Sequence, residues 1–172
     1  MGFLIRELRS EDDCTRLKLG EAAYTPLKTF FAKDAKTLAR EQIAKTFVLI
    51  DSDRNRVCGY ATTVCAQLSV EEYEMPELLQ GYKYRDYPGI KLARLAVDHR
   101  YQKQGLGSKL VDFLLGITIT AVQPNTGCRL MFLDSKQESV SFYERLGFSS
   151  VLPMDGASRR QTVTMWLDLL KV

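Results

Sequence analysis

The stretch Gln102-Lys103-Gln104-Gly105-Leu106-Gly107 constrains this chain most, because of what flanks it. Ile90 to Asp98 reads as a buried strand, and Ser108 to Val122 is apolar enough for a packed helix. The first amides of a helix have no intrahelical partner, so a strand–glycine turn–helix junction is a cradle for an anion. Glycine lets the backbone approach a phosphate without a Cβ in the way. The stretch from Gln102 to Ser108 is therefore expected to bind a pyrophosphate. A Walker loop is excluded, since Gly107-Ser108-Lys109 lacks its Gly-Lys-Ser/Thr order; a dinucleotide fingerprint is excluded because Leu110 stands where its third glycine belongs.

A second pattern lies downstream. Arg129 to Asp134 reads as a short buried strand followed by a helix, with Ser135 and Glu138 at capping-box spacing and Gly147 as its stop. On that helix Ser139 and Tyr143 share one face, and Phe142 and Leu146 another. Gln-x-x-Gly-x-Gly on a strand–helix junction, followed by Phe142-Tyr143-Glu144 and Gly147-Phe148, resembles the two signature blocks of the GNAT acetyltransferases. The resemblance implies a single α/β domain over residues 1–172. Its mixed, largely antiparallel sheet would be splayed at an acetyl-CoA site and flanked by helices.

Further roles follow from that resemblance. Acetyl-CoA would be the co-substrate, its pyrophosphate on Gln102, Lys103, Gln104, Gly105, Leu106, Gly107 and Ser108, and its pantetheine arm on the main chain of Leu95, Ala96 and Val97. Ser139 would also face it, and Tyr143 would protonate the leaving thiolate. No general base is evident: between Ile90 and Val97 the charged residues are Lys91 and Arg94, with no carboxylate. An α-amine, with a pKa near about 8, needs less help losing its proton than a lysine near about 10.4. An α-amine acceptor is thus expected, unless Glu71, Glu72 or Glu74 reaches in.

Composition adds exclusions. The chain has 172 residues, enough for one domain with a core, and 45% hydrophobic and 26% charged content suit a soluble globular protein. Neither a membrane-length apolar run nor a signal-peptide h-region is evident, so a cytoplasmic setting is expected. Cys14, Cys58, Cys65 and Cys128 have no C-x-x-C spacing and His99 is the one histidine, so no metal site is expected and all four thiols should be buried. A net charge of +3 permits an acidic partner without demanding one. Lys28, Lys33, Lys36, Arg40 and Lys45 read as a solvated face, whereas Arg100, Lys103 and Lys109 surround the glycine turn.

The coarse pattern is a strand from Phe3 to Leu8, helices from Cys14 to Phe31 and Asp34 to Lys45, and a hairpin of Thr46–Asp51 with Val57–Gln67. A long loop from Ser69 to Gly89 precedes the two signature blocks, and strands at Phe148–Leu152 and Thr162–Leu169 close the chain, with Trp166 in the core. Over nearly its whole length the chain is also similar to the acetyltransferase toxins of bacterial toxin–antitoxin pairs. Lys28, Phe30, Phe31 and Ala35, the run Val57 to Ala61, the run Tyr87 to Asp98, and Phe142-Tyr143 carry that likeness. It implies acetylation of the α-amine of aminoacyl-tRNA, a ribbon-helix-helix antitoxin, and a homodimer among the assemblies left open. Lys83, Arg85, Lys91 and Arg94 would then meet tRNA phosphates. An ordinary GNAT enzyme acting on a small amine or a protein N-terminus, and a non-catalytic acyl-CoA- or antitoxin-binding module, are the alternatives.

Overall fold

The computed structural model describes residues 2–69, 73–74, 84–153 and 161–172. Among the described residues are nine strands and four α-helices. In chain order these are β1 (Phe3–Glu7), α1 (Thr25–Lys33), α2 (Ala35–Arg40), β2 (Lys45–Asp51), β3 (Arg56–Ser69), β4 (Tyr73–Glu74) and β5 (Asp86–Val97). Then follow α3 (Leu106–Ile117), β6 (Leu130–Lys136), α4 (Val140–Glu144), β7 (Ser149–Ser150), β8 (Leu152–Pro153) and β9 (Thr162–Asp168). Seven strands form one sheet in the order β1-β2-β3-β5-β6-β9-β7, while β4 and β8 make a separate two-stranded sheet. The main sheet is mixed: β5 and β6 run parallel, and β1–β2, β2–β3, β6–β9 and β7–β9 are antiparallel.

The chain divides into two compact units, Met1–Val64 with Leu92–Gly116 and Cys65–Lys91 with Ile117–Val172. The first contains the expected hairpin: β2 and β3 pair from Lys45↔Thr63 to Asp51↔Arg56, with an irregularity at Leu49/Ile50. Asp51 nucleates the turn, its carboxylate accepting from the amides of Asp53 and Arg54. Leu17, Phe31, Val48, Ile50, Tyr60 and Ala96 share one buried cluster, in which the Phe31 and Tyr60 rings stack at 4.4 Å. On α3 the buried residues Leu106, Leu110, Val111, Leu114 and Leu115 recur at helical spacing.

The expected helix from Cys14 is not formed before a 3-10 turn at Ala22–Tyr24. Local side chains and distant backbone take the groups that a helix would need. Asp13 Oδ1 accepts from the amide and hydroxyl of Thr15, the Lys18 amide goes to Asp98, and the Lys18 carbonyl accepts from the His99 amide. Leu17 and Leu19 are buried two residues apart, the extended rather than the helical period. The second helix stops at Arg40, since Gln42 turns to φ 57 and the amides of Ile43 and Ala44 both go to the Leu38 carbonyl. Lys45, expected at its end, is instead on β2 and pairs with Glu7 at 2.7 Å. Lys36 donates to the carbonyls of Ser10 and Asp12, so it ties α2 to the preceding loop.

In the second unit Leu68, Tyr87, Leu130, Phe132, Val151 and Trp166 form the core cluster. Trp166 is buried as expected, and its indole Nε1 has no hydrogen-bond partner among the described residues. The helical segment after Ile117 continues to Val122 with π geometry, the Gln123 amide reaching back to Thr118. Of the four thiols, Cys14, Cys58 and Cys128 are buried; Cys65, expected inside, is exposed on β3. It lies on the part of β3 where half-buried and exposed residues alternate, and falls on the exposed side with Gln67.

Candidate active site

The glycine turn is built from its first residue onward. Asp98 directly follows β5, and its amide donates to the Cys58 carbonyl. Its side chain is fully buried and accepts from the Lys18 amide, the Arg100 amide and the Arg100 guanidinium. Burial pushes this carboxyl up, but the Arg100 hydrogen bonds and the two amides outweigh it and hold it below the usual carboxylate range. Arg100, expected beside phosphates, is spent on this pair. Tyr101 is also buried, and its hydroxyl donates to Asp51 at 2.7 Å, pinning the loop onto the β2–β3 turn.

After these anchors the backbone swings open. Gln102 donates through its side-chain amide to the Val97 carbonyl at 3.1 Å, Lys103 lies at φ 60, and Gly105 at φ 73. The positive φ at Gly105 is strained for any residue with a Cβ, although nothing lies within 4 Å to obstruct one. The first helical bond of α3 runs from the Lys109 amide to the Gly105 carbonyl at 3.1 Å. The amides of Leu106, Gly107 and Ser108 therefore precede the intrahelical ladder, while the buried Leu106 side chain fixes the helix start. Lys103, Gln104 and Lys109 are exposed around them. This is a backbone-amide nest with a helix dipole behind it, chemistry suited to a pyrophosphate.

On β5, Ala96 is buried and Leu95 and Val97 are half-buried. The parallel ladder between β5 and β6 covers Gly89↔Leu130, Ile90↔Met131 and Lys91↔Phe132 and stops there, short of Leu95 to Val97. Gly89 is required by that ladder, since a Cβ on it would sit 2.4 Å from the Leu130 carbonyl oxygen.

In the second unit, α4 carries Tyr143. Its ring packs edge-on to Phe142 at 4.9 Å and to Phe148 at 5.8 Å. The phenol has no hydrogen-bond partner among the described residues, and burial pushes it up to about 12, so it stays protonated near neutrality. Gly147, at φ +90, closes the helix: the Phe148 amide bonds the Tyr143 carbonyl and the Gly147 amide the Glu144 carbonyl. The expected capping box is absent. Ser135 is a buried β6 residue whose hydroxyl donates to the Lys136 carbonyl, because β6 runs on to Lys136 and a 3-10 turn at Gln137–Ser139 intervenes before α4. Ser139 is half-buried immediately before α4, with no capping bond from its side chain.

Three of the four expected acceptor-side cations are among the described residues. Lys83 lies outside the described residues, and Arg85 is exposed just before β5. Arg94 donates to the Ala93 carbonyl and places its guanidinium 5.1 Å from the Phe30 ring centroid. Lys91 is paired with Asp134 at 2.7 Å. Two carboxylates thereby enter that sequence reading passed over. β5 begins at Asp86, earlier than expected, so this strand does carry an acid, and Asp134 meets Lys91 from the neighbouring strand. The one available signal was Asp134 itself, exposed directly after four buried residues of β6.

The acetyltransferase (GNAT) domain family matches residues 43–150, which spans the hairpin, β5, the glycine turn, α3, β6 and α4. The chain belongs to the GNAT acetyltransferase family. As a GNAT protein it is an acyltransferase. Its fold is shared with solved acetyltransferase toxins. A tyrosine-to-phenylalanine mutant of KacT superposes with a TM-score of 0.84 at 22% identity, over 99% of this chain and 97% of that one. AtaT complexed with acetyl-methionyl-tRNAfMet gives 0.83 at 20% identity, over 99% and 96%. AtaTR bound with acetyl-CoA gives 0.77 at 22%, over 98% and 95%. At these identities the likeness is one of fold. Among the described residues no helix of this GNAT chain is long and apolar enough to cross a membrane.

Proposed function

We propose that this GNAT enzyme, one acetyltransferase domain over residues 1–172, transfers acetyl from acetyl-CoA to the α-amine of an aminoacyl-tRNA. It would thereby act as a translation-blocking toxin of the cytoplasm. The observation that carries acetyl transfer is Tyr143, a half-buried phenol held protonated on α4 behind β6. Residues Gln102 to Ser108 would hold the pyrophosphate on the open α3 amides, Leu95, Ala96 and Val97 would offer main-chain groups to the pantetheine arm, and Ser139 would flank it. Acetyl-CoA supplies the acetyl group as a thioester. Tyr143 supplies the proton that the departing sulfur needs, and a backbone N–H of β5 polarises the carbonyl under attack.

The acceptor reading rests on the likeness over 99% of this chain to AtaT, solved with acetyl-methionyl-tRNAfMet. Arg94 and Arg85, both exposed, would meet tRNA phosphates; Lys91 is engaged by Asp134, and Lys83 remains a candidate by sequence. AtaT bound to the C-terminus of the antitoxin AtaR, and a KacTA–DNA complex, are further fold relatives. They support an antitoxin partner here; that this antitoxin is of ribbon-helix-helix type, and that the enzyme is a homodimer, belong to the same proposal.

Transfer of labelled acetyl from acetyl-CoA into a pool of charged total tRNA, with polyamines and peptides as parallel acceptors, tests this. Label on aminoacyl-tRNA that disappears in Tyr143→Phe is the expected result. Label confined to polyamines or peptides would make the chain an ordinary GNAT enzyme.

A further inference from the structure

Four neighbouring strands, β3, β5, β6 and β9, contribute residues of the second unit to a cleft of about 340 Å³. Its floor is apolar, from Leu68 and Phe132, both of the core cluster. Its rim is polar, from Asp86, Lys91, Asp134 and Thr164. The registers Lys91↔Phe132 and Asp134↔Thr164 set Lys91 beside Phe132 and Asp134 beside Thr164. Asp134 is the hub: one carboxylate oxygen accepts from Lys91 at 2.7 Å and the other from the Thr164 hydroxyl at 2.8 Å. It is thus held in one orientation with one donor on each oxygen, and a carboxylate has about four acceptor positions. Lys91 and Asp134 side chains remain 34% and 37% exposed, so the pair faces the cleft rather than closing it.

The charges select the ligand. Two carboxylates and one ammonium leave one negative charge uncompensated, and Asp86 has no ion pair among the described residues. An anion entering the cleft would meet Asp86 and Asp134 together. A primary ammonium instead finds two carboxylates with acceptor positions to spare, and the apolar floor takes an uncharged side chain in preference to a second charge. A cavity of this size suits one amino-acid residue.

We infer that this cleft is the acceptor subsite, binding the α-ammonium and uncharged side chain of the amino acid to be acetylated, with Asp134 as its specificity-determining residue and the Asp86 or Asp134 carboxylate taking the proton that the ammonium gives up before the free amine attacks. This rests on the N-acetyltransferase reading above and names the chemistry at its acceptor end. The Lys91–Asp134 pair then serves to orient the carboxylate rather than to bind phosphate.

The probe is leucinamide, an α-amine on an uncharged apolar side chain, compared with its des-amino analogue 4-methylpentanamide and with acetate. Amide shifts of the isotopically labelled full chain report where each binds. Leucinamide should shift Lys91, Phe132 and Asp134, and 4-methylpentanamide and acetate should not. Asp134→Asn, which keeps an acceptor for Thr164, should weaken leucinamide by about tenfold. Asp86→Asn should weaken it as well, and serves as the independent variant if Asp134→Asn lowers the melting temperature. Leucinamide shifts elsewhere or nowhere, equal binding of 4-methylpentanamide, or acetate in the cleft would each overturn the assignment. Leucinamide in the cleft without label transfer to charged tRNA would sink the toxin reading and leave the subsite standing. Transfer to charged tRNA with an unchanged acceptor KM in both variants would do the reverse.

Discussion

Replacing Gly89 by alanine tests the β5–β6 ladder at its tightest point. The new Cβ would lie 2.4 Å from the Leu130 carbonyl oxygen and 3.1 Å from its carbon. An ordinary carbon–oxygen approach is about 3.3 Å or more, so one strand must retreat by roughly 0.9 Å. The obstructing atoms are backbone, with no rotamer to turn away. Overpacking of this kind costs about 1–3 kcal/mol, and stretching one ladder hydrogen bond adds about 1 kcal/mol, so the expected loss is about 2–4 kcal/mol. For a chain of this length that is a fall in melting temperature of roughly 5–15 °C. Gly116→Ala is the matched control: it sits exposed on α3 with nothing within 4 Å of its Cβ, and should be neutral or stabilising by up to about 1 kcal/mol. Urea unfolding of both variants beside the parent gives the comparison. Gly89→Ala within about 0.5 kcal/mol of the parent would refute the close approach and the register built on it.

Tyr143→Phe should lower kcat for acetyl transfer by about 10²–10⁴ while acetyl-CoA affinity changes little, as read by steady-state kinetics and calorimetry. Since burial pushes the Tyr143 phenol up to about 12, the rate should show no basic limb near its ordinary value of 10; a limb there that vanishes in Tyr143→Phe would contradict the buried proton donor. Asp98→Asn should cost about 2–4 kcal/mol at pH 7, because Arg100 loses its charged partner. The Asp98 carboxyl is depressed in the folded chain, so its contribution is present above the unfolded value of about 3.9 and fades as pH falls below it. Melts of Asp98→Asn and the parent should therefore converge toward pH 2, and a constant difference would argue against an ionised Asp98. A thiol reagent should label Cys65 rapidly in the native protein. Cys14, Cys58 and Cys128 should react only in urea, Cys58 slowest since burial pushes its thiol up to about 12.

Much of the fold was legible because the relevant signals are local. The β2–β3 hairpin followed from two β-rich runs around a polar turn, and α3 from a strand–glycine turn–helix junction. The stop at Gly147 needs a single left-handed residue, which glycine announces. The early helix was misread because its competitors are remote. Lys18 is bound by Asp98 and His99, some eighty residues away in sequence, and no window around Cys14 contains them. Ser135 and Glu138 have capping-box spacing, yet β6 continues through Ser135, since its partner β9 pairs as far as Lys136↔Thr162.

At the candidate site the same division holds. The glycine turn, the place of Tyr143 on a helix and the family they indicate were legible in the sequence alone, because backbone conformation and helix periodicity are written in contiguous residues. Tertiary structure decided which charges act together. Arg100 was diverted to Asp98, Lys91 was joined to Asp134, and Asp86 was placed on the strand thought to lack an acid. Charge pairing depends on the register between strands far apart in sequence, and a parallel ladder such as Lys91↔Phe132 leaves no local trace beyond the glycine that lets it close.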